Sequence, residues 1–370
     1  MTWYFDLPNL LVCILAIIIA CRMKIIPNWI GLIFTIYSFI PFLLNDFLFP
    51  SRFMKDQFYY FDTMKEVRSF NFLPHNDPNI LITTWVLSFL PLPFVETIKS
   101  IGFYNRFMFF VLFCWLYNKK FLKGGVLLFL IFYPSLVLYT SLSLRDPLIL
   151  CIMLVSVIFL IDKKYFRFFL LILPLYFLKW QNFYFMIVLF LVLIVFKRKS
   201  SYNLYRVNKF KIFIALICLL IFMFLFTNDI LHILNLLRKA MYIENSGNLA
   251  DYLPIHGLGD LLFYSITAFP YFLLKPLPWQ SENLFQLIQS FENIFLLIFL
   301  FFFTKKAFKQ GKLITYKWLL YSVFVMTIYG LVVFNFGTSV RYKFIIVAVY
   351  VIGLSYELYR ETIFRSYTKS

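Results

Sequence analysis

The feature that most constrains this chain is a series of apolar stretches that recurs along its 370 residues. Hydrophobic residues make up 62% of the sequence and charged residues 14%, against about 45–50% and about 25% in soluble domains. A water-soluble fold of this length has too little polar surface to cover so much apolar area. The composition excludes a soluble enzyme, a secreted scaffold and a disordered chain, and predicts an integral membrane protein with many spans.

Apolar segments of about 15–20 residues predict membrane-spanning helices, because a helix of that length crosses the hydrocarbon core. The predicted spans are residues 7–20, 25–44, 101–117, 124–142, 148–161, 165–178, 183–196, 210–227, 284–303, 316–334 and 344–358. Two further stretches, 80–95 and 261–274, contain or adjoin prolines and are predicted to be re-entrant or interfacial. The predicted fold is all-α, a polytopic helical bundle of about 11 spans in one multispan domain over residues 1–370.

The basic residues orient this bundle. The net charge is +18, and the Lys and Arg residues lie mostly in short clusters between apolar segments. Such clusters are typical of cytoplasmic loops, so a nucleic-acid partner is not predicted. The strongest clusters are residues 119–123, 162–167, 197–211 and 305–312. With these inside, the two long loops 45–79 and 228–283 lie outside, and the working face is predicted to be extracytoplasmic.

Metal and nucleotide chemistry have little support in the sequence. The five cysteines show no CxxC spacing and the three histidines are scattered, so neither a disulfide framework nor a zinc site is predicted. Walker A, HExxH, GxSxG and DxD motifs are absent from the sequence. We therefore predict no cofactor and no metal site.

The most distinctive motif ends one predicted span in Arg145, Asp146 and Pro147 and begins the next at once. Since the turn has almost no length, Arg145 and Asp146 are predicted at the membrane surface or slightly below it. An ionisable residue at that depth is a functional candidate, and the structural alternative is an arginine that snorkels. Asp146 is a catalytic candidate, and it is equally a cap for the helix that starts with Pro147.

A second motif, residues 335–343, is predicted as a short outside turn that places Arg341 and Lys343 at one membrane face. An arginine fork matches phosphate oxygens in two-point geometry. Residues 337–339 offer backbone and hydroxyl donors near a helix N-terminus, which favours an anion. The alternative is ordinary interfacial anchoring.

A third motif, residues 274–283, contains two prolines and is predicted to be extended and rigid. Lys275 is a further candidate phosphate ligand. Trp279 is predicted either to stack on a sugar ring or to lie in the headgroup belt. Trp180, in the chemically similar turn 179–182, is a second candidate for sugar binding.

The general base is the least constrained part of the prediction. His256 has the ordinary pKa that suits proton abstraction near neutral pH, and it is equally a solvated loop residue. Asp260 is a carboxylate candidate in the same loop. The acidic and basic residues of the first long loop, His75 and Asp77 among them, are predicted to form a solvated amphipathic face.

Residues 133–147, 275–283 and 337–343 resemble signatures of Wzy-type O-antigen polymerases and related polyprenyl-linked sugar polymerases. The many spans, the phenylalanine-rich composition and the large outside loops are also similar. The resemblance implies a GT-C-like glycosyltransferase of the bacterial inner membrane. Such an enzyme joins undecaprenyl-diphosphate-linked oligosaccharide units into O-antigen or capsule-type polysaccharide on the periplasmic face, and it belongs to lipopolysaccharide or polysaccharide biosynthesis.

The resemblance also implies roles for individual residues. Arg145 and Arg341 bind the lipid diphosphate, and Lys275 is a weaker counterpart where the family pattern favours arginine. Lys343, which is predicted at the same membrane face, is a further candidate for binding the diphosphate. Fixed cations stabilise a departing diphosphate without a metal, so a metal-independent reaction is predicted. The implied partners are the lipid-linked oligosaccharide, the bilayer and a chain-length regulator protein.

Three alternatives stay open at this point. An O-antigen ligase-type transferase uses the same carrier with a different acceptor. A lipid-linked oligosaccharide flippase moves the carrier without forming bonds, but the placement of most charges at the outer edge and the absence of a visible repeat favour the enzyme. A purely structural membrane subunit is compatible with everything in the sequence.

Overall fold

The structure is a computed structural model that describes residues 3–49, 54–71, 78–196, 227–244 and 252–367. Helices dominate these residues, and no β-strand occurs among them. The chain groups into two compact units, unit 1 with Met1–Met186 and Val351–Tyr359, and unit 2 with Ile187–Tyr350 and Arg360–Ser370. The single-domain organisation of residues 1–370 stays a prediction.

Unit 1 begins with a 3₁₀ turn at Trp3–Asp6 and continues with ten described helices. They are α1 (Leu7–Arg22), α2 (Asn28–Tyr37), α3 (Ile40–Leu44), α4 (Asp56–Arg68), α5 (Pro78–Ser88), α6 (Ile98–Asn118), α7 (Gly125–Phe132), α8 (Pro134–Tyr139), α9 (Asp146–Ile161) and α10 (Tyr165–Val195), the last of which continues beyond Met186.

Unit 2 contains the later helices and a short 3₁₀ turn at Pro278–Gln280. Its described helices are α11 (Thr227–Glu244), α12 (Leu258–Leu274), α13 (Leu284–Gln310), α14 (Lys312–Val332) and α15 (Phe336–Tyr367), and of α15 the residues Val351–Tyr359 are grouped with unit 1. The predicted outside loop 228–283 is therefore largely helical in its described part, and the predicted loop 45–79 contains α4.

Six helices of the described residues are long and apolar enough to cross a membrane. They are Tyr4–Arg22, Ile98–Asn118, Tyr165–Val195, Leu284–Gln310, Lys312–Val332 and Phe336–Phe364. Three shorter apolar helices are Asn28–Leu44, Asp146–Ile161 and Leu258–Leu274. The prediction of an all-α membrane protein is confirmed, whereas the count of about 11 spans is not. The predicted span 210–227 lies outside the described residues except at its last position.

Prolines and short helices explain part of the difference in span count. The predicted span 124–142 is two helices, because α7 ends at Phe132 and Pro134 starts α8. Proline has no N–H to donate and clashes with the preceding turn, so it begins a helix more readily than it continues one. At 11 residues, α5 rises only about 16 Å, well short of the hydrocarbon core, and it lies largely in the stretch 80–95, which is not among the predicted spans.

The motif at residues 335–343 is helical rather than a turn. The side chain of Asn335 accepts hydrogen bonds from the backbone N–H groups of Gly337 at 2.8 Å and Thr338 at 3.3 Å. An asparagine that caps in this way starts a helix, and α15 begins at Phe336. Arg341 and Lys343 consequently lie in the first turns of α15, which corrects the predicted outside turn.

Helices α12 and α14 of unit 2 pack at close range. A Cβ added at Gly330 of α14 would meet the backbone carbonyl of Ala268 and, at 3.1 Å, the Cβ of Phe272. The ring of Phe272 also stacks on Tyr329, with 5.8 Å between ring centres. This small-residue contact is of a kind common between membrane helices and lets the two backbones approach closely.

Candidate functional site

A polar pocket of about 340 Å³ occurs in unit 2. Its lining residues are Tyr242 of α11, Tyr271 of α12, Glu282, Gln286 of α13, and residues 334–337, which lie between the end of α14 and the first turn of α15. The volume lies within the range of about 300–1,000 Å³ that is usual for ligand pockets. The lining combines four aromatic residues with one carboxylate and two amides.

The pocket lies at one end of α13, α14 and α15. The first turn of α13 and the last turn of α14 meet there, while the basic connection between these helices, around Gly311, is at their other ends. Because that basic connection is predicted to be cytoplasmic, the pocket is on the predicted extracytoplasmic side.

The beginning of α13 fixes the backbone of Glu282. The amide oxygen of Gln286 accepts a hydrogen bond from the Glu282 N–H at 2.8 Å, and the Asn283 side chain accepts one from the Gln286 N–H at 2.9 Å. The carboxylate of Glu282 is exposed and makes no hydrogen bond or ion pair with another residue in the described part of the chain. It is therefore available to a molecule in the pocket.

A buried arginine supports the aromatic wall. Arg238 of α11 is 7% exposed, and one of its terminal nitrogens donates to the carbonyl of Leu331. Its guanidinium carbon lies 5.1 Å from the ring centre of Phe334 and 5.6 Å from that of Tyr264. Tyr242 meets the same Phe334 ring edge-on at 5.5 Å. Since cation–π contacts are stronger away from water, Arg238 holds Phe334 in the pocket lining.

Of the candidates in the third motif, the lysine lies against Tyr271 and the tryptophan is exposed. The Lys275 ammonium is 4.3 Å from the ring centre of Tyr271, which lines the pocket. Trp279 belongs to the Pro278–Gln280 turn and is 79% exposed. Neither residue lines the pocket itself, so the phosphate role of Lys275 and the sugar role of Trp279 stay predictions.

The two base candidates of the loop before α12 are both exposed. The backbone N–H of His256 donates to the Asp260 carboxylate at 3.1 Å. This contact ties Asp260 to the start of its own helix, a favourable place for a negative charge. Neither side chain lines the pocket. Their catalytic roles remain predictions, and Glu282 is the carboxylate that the pocket contains.

Lys343 is buried inside unit 2. Its ammonium donates to the Leu273 carbonyl at 2.9 Å and to the Asn293 side-chain oxygen at 2.8 Å. The Asn293 amide in turn donates to the carbonyls of Leu274 and Lys275, both at 3.1 Å. Two of the three ammonium donors are thus used to join α12, α13 and α15. Arg341 is half-buried in the same helix.

In unit 1, the segment that leads into Arg145 is held by buried amides. Asn45 donates to the Ser141 carbonyl at 2.9 Å, and Asn45 and Gln57 both accept from the Ser143 N–H, each at 3.0 Å. Asn105 donates to the carbonyls of Leu142 at 2.6 Å and Leu144 at 2.8 Å. We name Asn45, Gln57 and Asn105 the amide clasp.

The amide clasp presents Arg145 at the start of α9. The helix begins at Asp146, so Arg145 occupies the N-cap position that the sequence analysis gave to Asp146. Asp146 is buried in the first turn, where a carboxylate interacts favourably with the helix dipole. The half-buried guanidinium of Arg145 has no hydrogen bond or ion pair to any described residue.

Sequence reasoning missed a second arginine of unit 1. Arg106 of α6 is 3% exposed and donates to the Thr140 hydroxyl at 2.7 Å. Its guanidinium carbon lies 5.1–5.8 Å from the ring centres of Phe34, Tyr37 and Phe109. One terminal nitrogen has no hydrogen-bond partner, and no carboxylate of the described residues pairs with the charge. The signal was present, since Arg106 is the one charged residue of the predicted span 101–117.

The remaining sugar-binding candidate, Trp180, follows a break in α10. The backbone at Lys179 is not helical, with φ −164° and ψ 90°, where the sequence predicted a turn. Trp180 is 42% exposed, and its ring meets Tyr184 edge-on at 5.9 Å. This exposure suits the membrane interface as well as a ligand.

Comparison with known proteins gives no match: no family model, no curated protein and no solved structure is similar to this chain. The resemblance to Wzy-type polymerases therefore depends on the sequence segments alone. Arg145 belongs to unit 1 and Arg341 to unit 2, so their joint grip on a diphosphate also stays a prediction. Within the described residues, no group of three or more His, Cys, Asp or Glu side chains is arranged to hold a metal ion.

Proposed function

We propose that the chain is a membrane glycosyltransferase that polymerises undecaprenyl-diphosphate-linked oligosaccharide units on the extracytoplasmic face. The observation that supports this most directly is the pocket of unit 2, with its aromatic residues, the Glu282 carboxylate and the amides of Gln286 and Asn335. Aromatic side chains offer large apolar faces on which a sugar ring can pack. A few placed polar groups then fix the orientation of the ligand.

The proposed reaction uses Glu282 as the general base. The acceptor sugar hydroxyl gives its proton to the Glu282 carboxylate while its oxygen attacks the anomeric carbon of the donor. The bond from that carbon to the diphosphate oxygen breaks, and its electron pair leaves with the polyprenyl diphosphate. Arg145 and Arg341 neutralise the charge of this leaving group. The growing chain thereby passes from one lipid carrier to the unit on the other.

Replacing the carboxylate tests the proposal. Glu282→Gln keeps the side-chain shape and removes the base, so polymer formation should fall by roughly 10²–10⁴-fold. The assay uses the full chain in vesicles supplied with the lipid-linked oligosaccharide, and gel electrophoresis counts repeat units. Asp229→Asn is the matched control, because Asp229 is an exposed carboxylate of α11 outside the pocket lining. Polymer formation by Glu282→Gln at the control's rate would remove Glu282 as the base.

The diphosphate part of the proposal has a separate test in cells. Arg145→Ala and Arg341→Ala should each shorten the polymer, because each removes a cation from the leaving group. Immunoblots of membrane fractions check that protein levels are normal. Unchanged chain length in both variants contradicts the role of the two arginines.

One observation favours a second candidate, a flippase for the same lipid-linked oligosaccharide. Arg106 is a buried charge within a membrane-length helix, and transporters use charges at that depth. The same vesicles separate the two functions, since a flippase moves the substrate between leaflets without forming glycosidic bonds. A ligase-type transferase is distinguished by the knockout, which leaves lipid A core bare, whereas loss of a polymerase leaves it with a single repeat unit.

A further inference from the structure

A second cavity of unit 2, of about 470 Å³, is almost wholly apolar in its lining. Helix α13 lines it with one face over residues 297–308, and α12, α14 and α15 supply the other walls. Phe301 and Val323 at its rim are exposed. The cavity is therefore a groove along membrane-length helices, which we name the apolar groove.

One end of the apolar groove carries Lys305, an exposed lining residue of α13. Lys306, Lys309 and Lys312 follow it closely in the sequence, and no Asp or Glu occurs between Glu292 and Glu357. No acidic residue of the described chain is part of the groove lining itself. The groove joins an apolar channel to a cationic end.

A polar group inside the groove lacks a partner. Ser322 of α14 lines the groove and is 5% exposed, and its hydroxyl has no hydrogen-bond partner among the described residues. The neighbouring hydroxyls of Thr304 and Tyr350 bond to each other at 2.7 Å. A buried hydroxyl without a partner is costly, so Ser322 indicates an acceptor supplied from outside the chain.

The spacing of the two groups suits one lipid molecule. Counted from Gly311, where α13 gives way to α14, Lys305 is about 9 Å and Ser322 about 16 Å along the helix axis. Ser322 is therefore about 7 Å deeper than the backbone of Lys305. In a glycerophospholipid, the phosphate lies outermost, the ester carbonyls lie a few bonds deeper and the acyl chain follows.

We propose that the apolar groove binds an anionic glycerophospholipid of the cytoplasmic leaflet. Its acyl chain fills the groove, its phosphate meets Lys305, and an ester carbonyl accepts the Ser322 hydroxyl. Filling the groove with a chain gives little selectivity by itself, because every lipid tail is equally apolar. Selectivity comes from the contact between the headgroup charge and Lys305, the lysine that lines the groove. This site lies at the opposite end of α13 and α14 from the polar pocket and does not depend on the proposed transferase activity.

Native mass spectrometry of the full chain in detergent tests this site with phosphatidylglycerol and with phosphatidylcholine of the same acyl chains. Phosphatidylglycerol should bind at least about fivefold more tightly, and Lys305→Gln should lower its affinity about fivefold. Lys306→Gln is the matched control, because it makes the same change of charge at the adjacent residue, which does not line the groove. It should change the affinity less than about twofold.

A second variant tests the groove rather than the charge. Val323→Trp places a large ring at the rim and keeps every lysine, so it should release the retained phospholipid. Thermal unfolding without added lipid verifies that each variant is folded. Equal losses in Lys305→Gln and Lys306→Gln, equal affinity for the two lipids, or unchanged binding by Val323→Trp would each overturn the proposal. Stabilisation by inorganic phosphate equal to that by phosphatidylglycerol would also overturn it, because an anion alone would then suffice.

Discussion

The amide clasp of unit 1 makes a quantitative prediction about stability. Asn45 and Gln57 both accept from the Ser143 N–H at 3.0 Å, and that N–H is buried in the segment that leads into Arg145. Either acceptor alone satisfies the donor. The double variant Asn45→Ala, Gln57→Ala should therefore lose more stability than the sum of the two single variants.

The magnitude follows from the individual hydrogen bonds. Asn45→Ala removes the bonds from its amide to the carbonyls of Pro41 at 3.1 Å and Ser141 at 2.9 Å, and no other side chain replaces them. At about 1 kcal/mol of net stability each, the cost is roughly 2–3 kcal/mol. Gln57→Ala loses the bond from its amide to the Phe49 carbonyl at 3.3 Å, while Asn45 still accepts from Ser143, and should cost about 1 kcal/mol. The double variant leaves the buried Ser143 N–H without an acceptor and should lose a further ~1–3 kcal/mol of stability.

The assay is reversible unfolding of the purified chain in mixed micelles with a denaturing detergent, which gives the free energy of unfolding for all four members of the cycle. Thr35→Ala is a control for the loss of a local bond, since the Thr35 hydroxyl donates only to the Gly31 carbonyl of its own helix, at 2.9 Å. Its effect should add to that of Asn45→Ala. Additivity within about 0.5 kcal/mol in the main cycle would refute the shared-donor reasoning.

Two other predictions concern buried helix contacts. Arg106→Met should leave thermal stability unchanged or higher, because it replaces a buried charge that has no carboxylate partner among the described residues. In the vesicle assay it should lower the movement of lipid between leaflets that the second candidate function assigns to this residue. A loss of several degrees in the melting temperature would instead show that Arg106 is structural. Gly330→Ala should cost roughly 1–3 kcal/mol of unfolding free energy through overpacking against Ala268. Gly259→Ala, whose added Cβ would meet nothing within 4 Å, should be nearly neutral, and equal effects of the two would contradict the close approach.

The sequence predicted the all-α membrane class, because this class depends on local patterns. Apolar length identifies membrane helices, and the direct passage from Arg145 to Pro147 limits how far the turn can extend. The motif 274–283 includes Glu282 near its end, and this residue lines the pocket. Its role was missed, because a single carboxylate in a polar segment carries no signal of its surroundings.

The remaining parts of the site depend on tertiary contacts that no local pattern records. Tyr242 and Phe334 are distant in sequence and meet only because α11 and α14 pack together around Arg238. The internal use of Lys343 was hidden for the same reason, since its acceptors Leu273 and Asn293 belong to α12 and α13. The helix cap formed by Asn335 then moved Arg341 and Lys343 from a predicted turn into α15.

The amide clasp also bears on why Arg145 is a stronger candidate than an ordinary interfacial arginine. Arginines that snorkel need only a long side chain and a nearby headgroup layer, so they require no fixed backbone. The backbone that leads into Arg145 is instead held in place. The buried amides of Asn45, Gln57 and Asn105 bond to it from three different helices or connections. Polar groups in an apolar interior are costly unless they are bonded, and an apolar turn would avoid that cost. A chain that keeps them fixes the backbone from which the Arg145 side chain extends, which suits the diphosphate-binding role proposed for this residue.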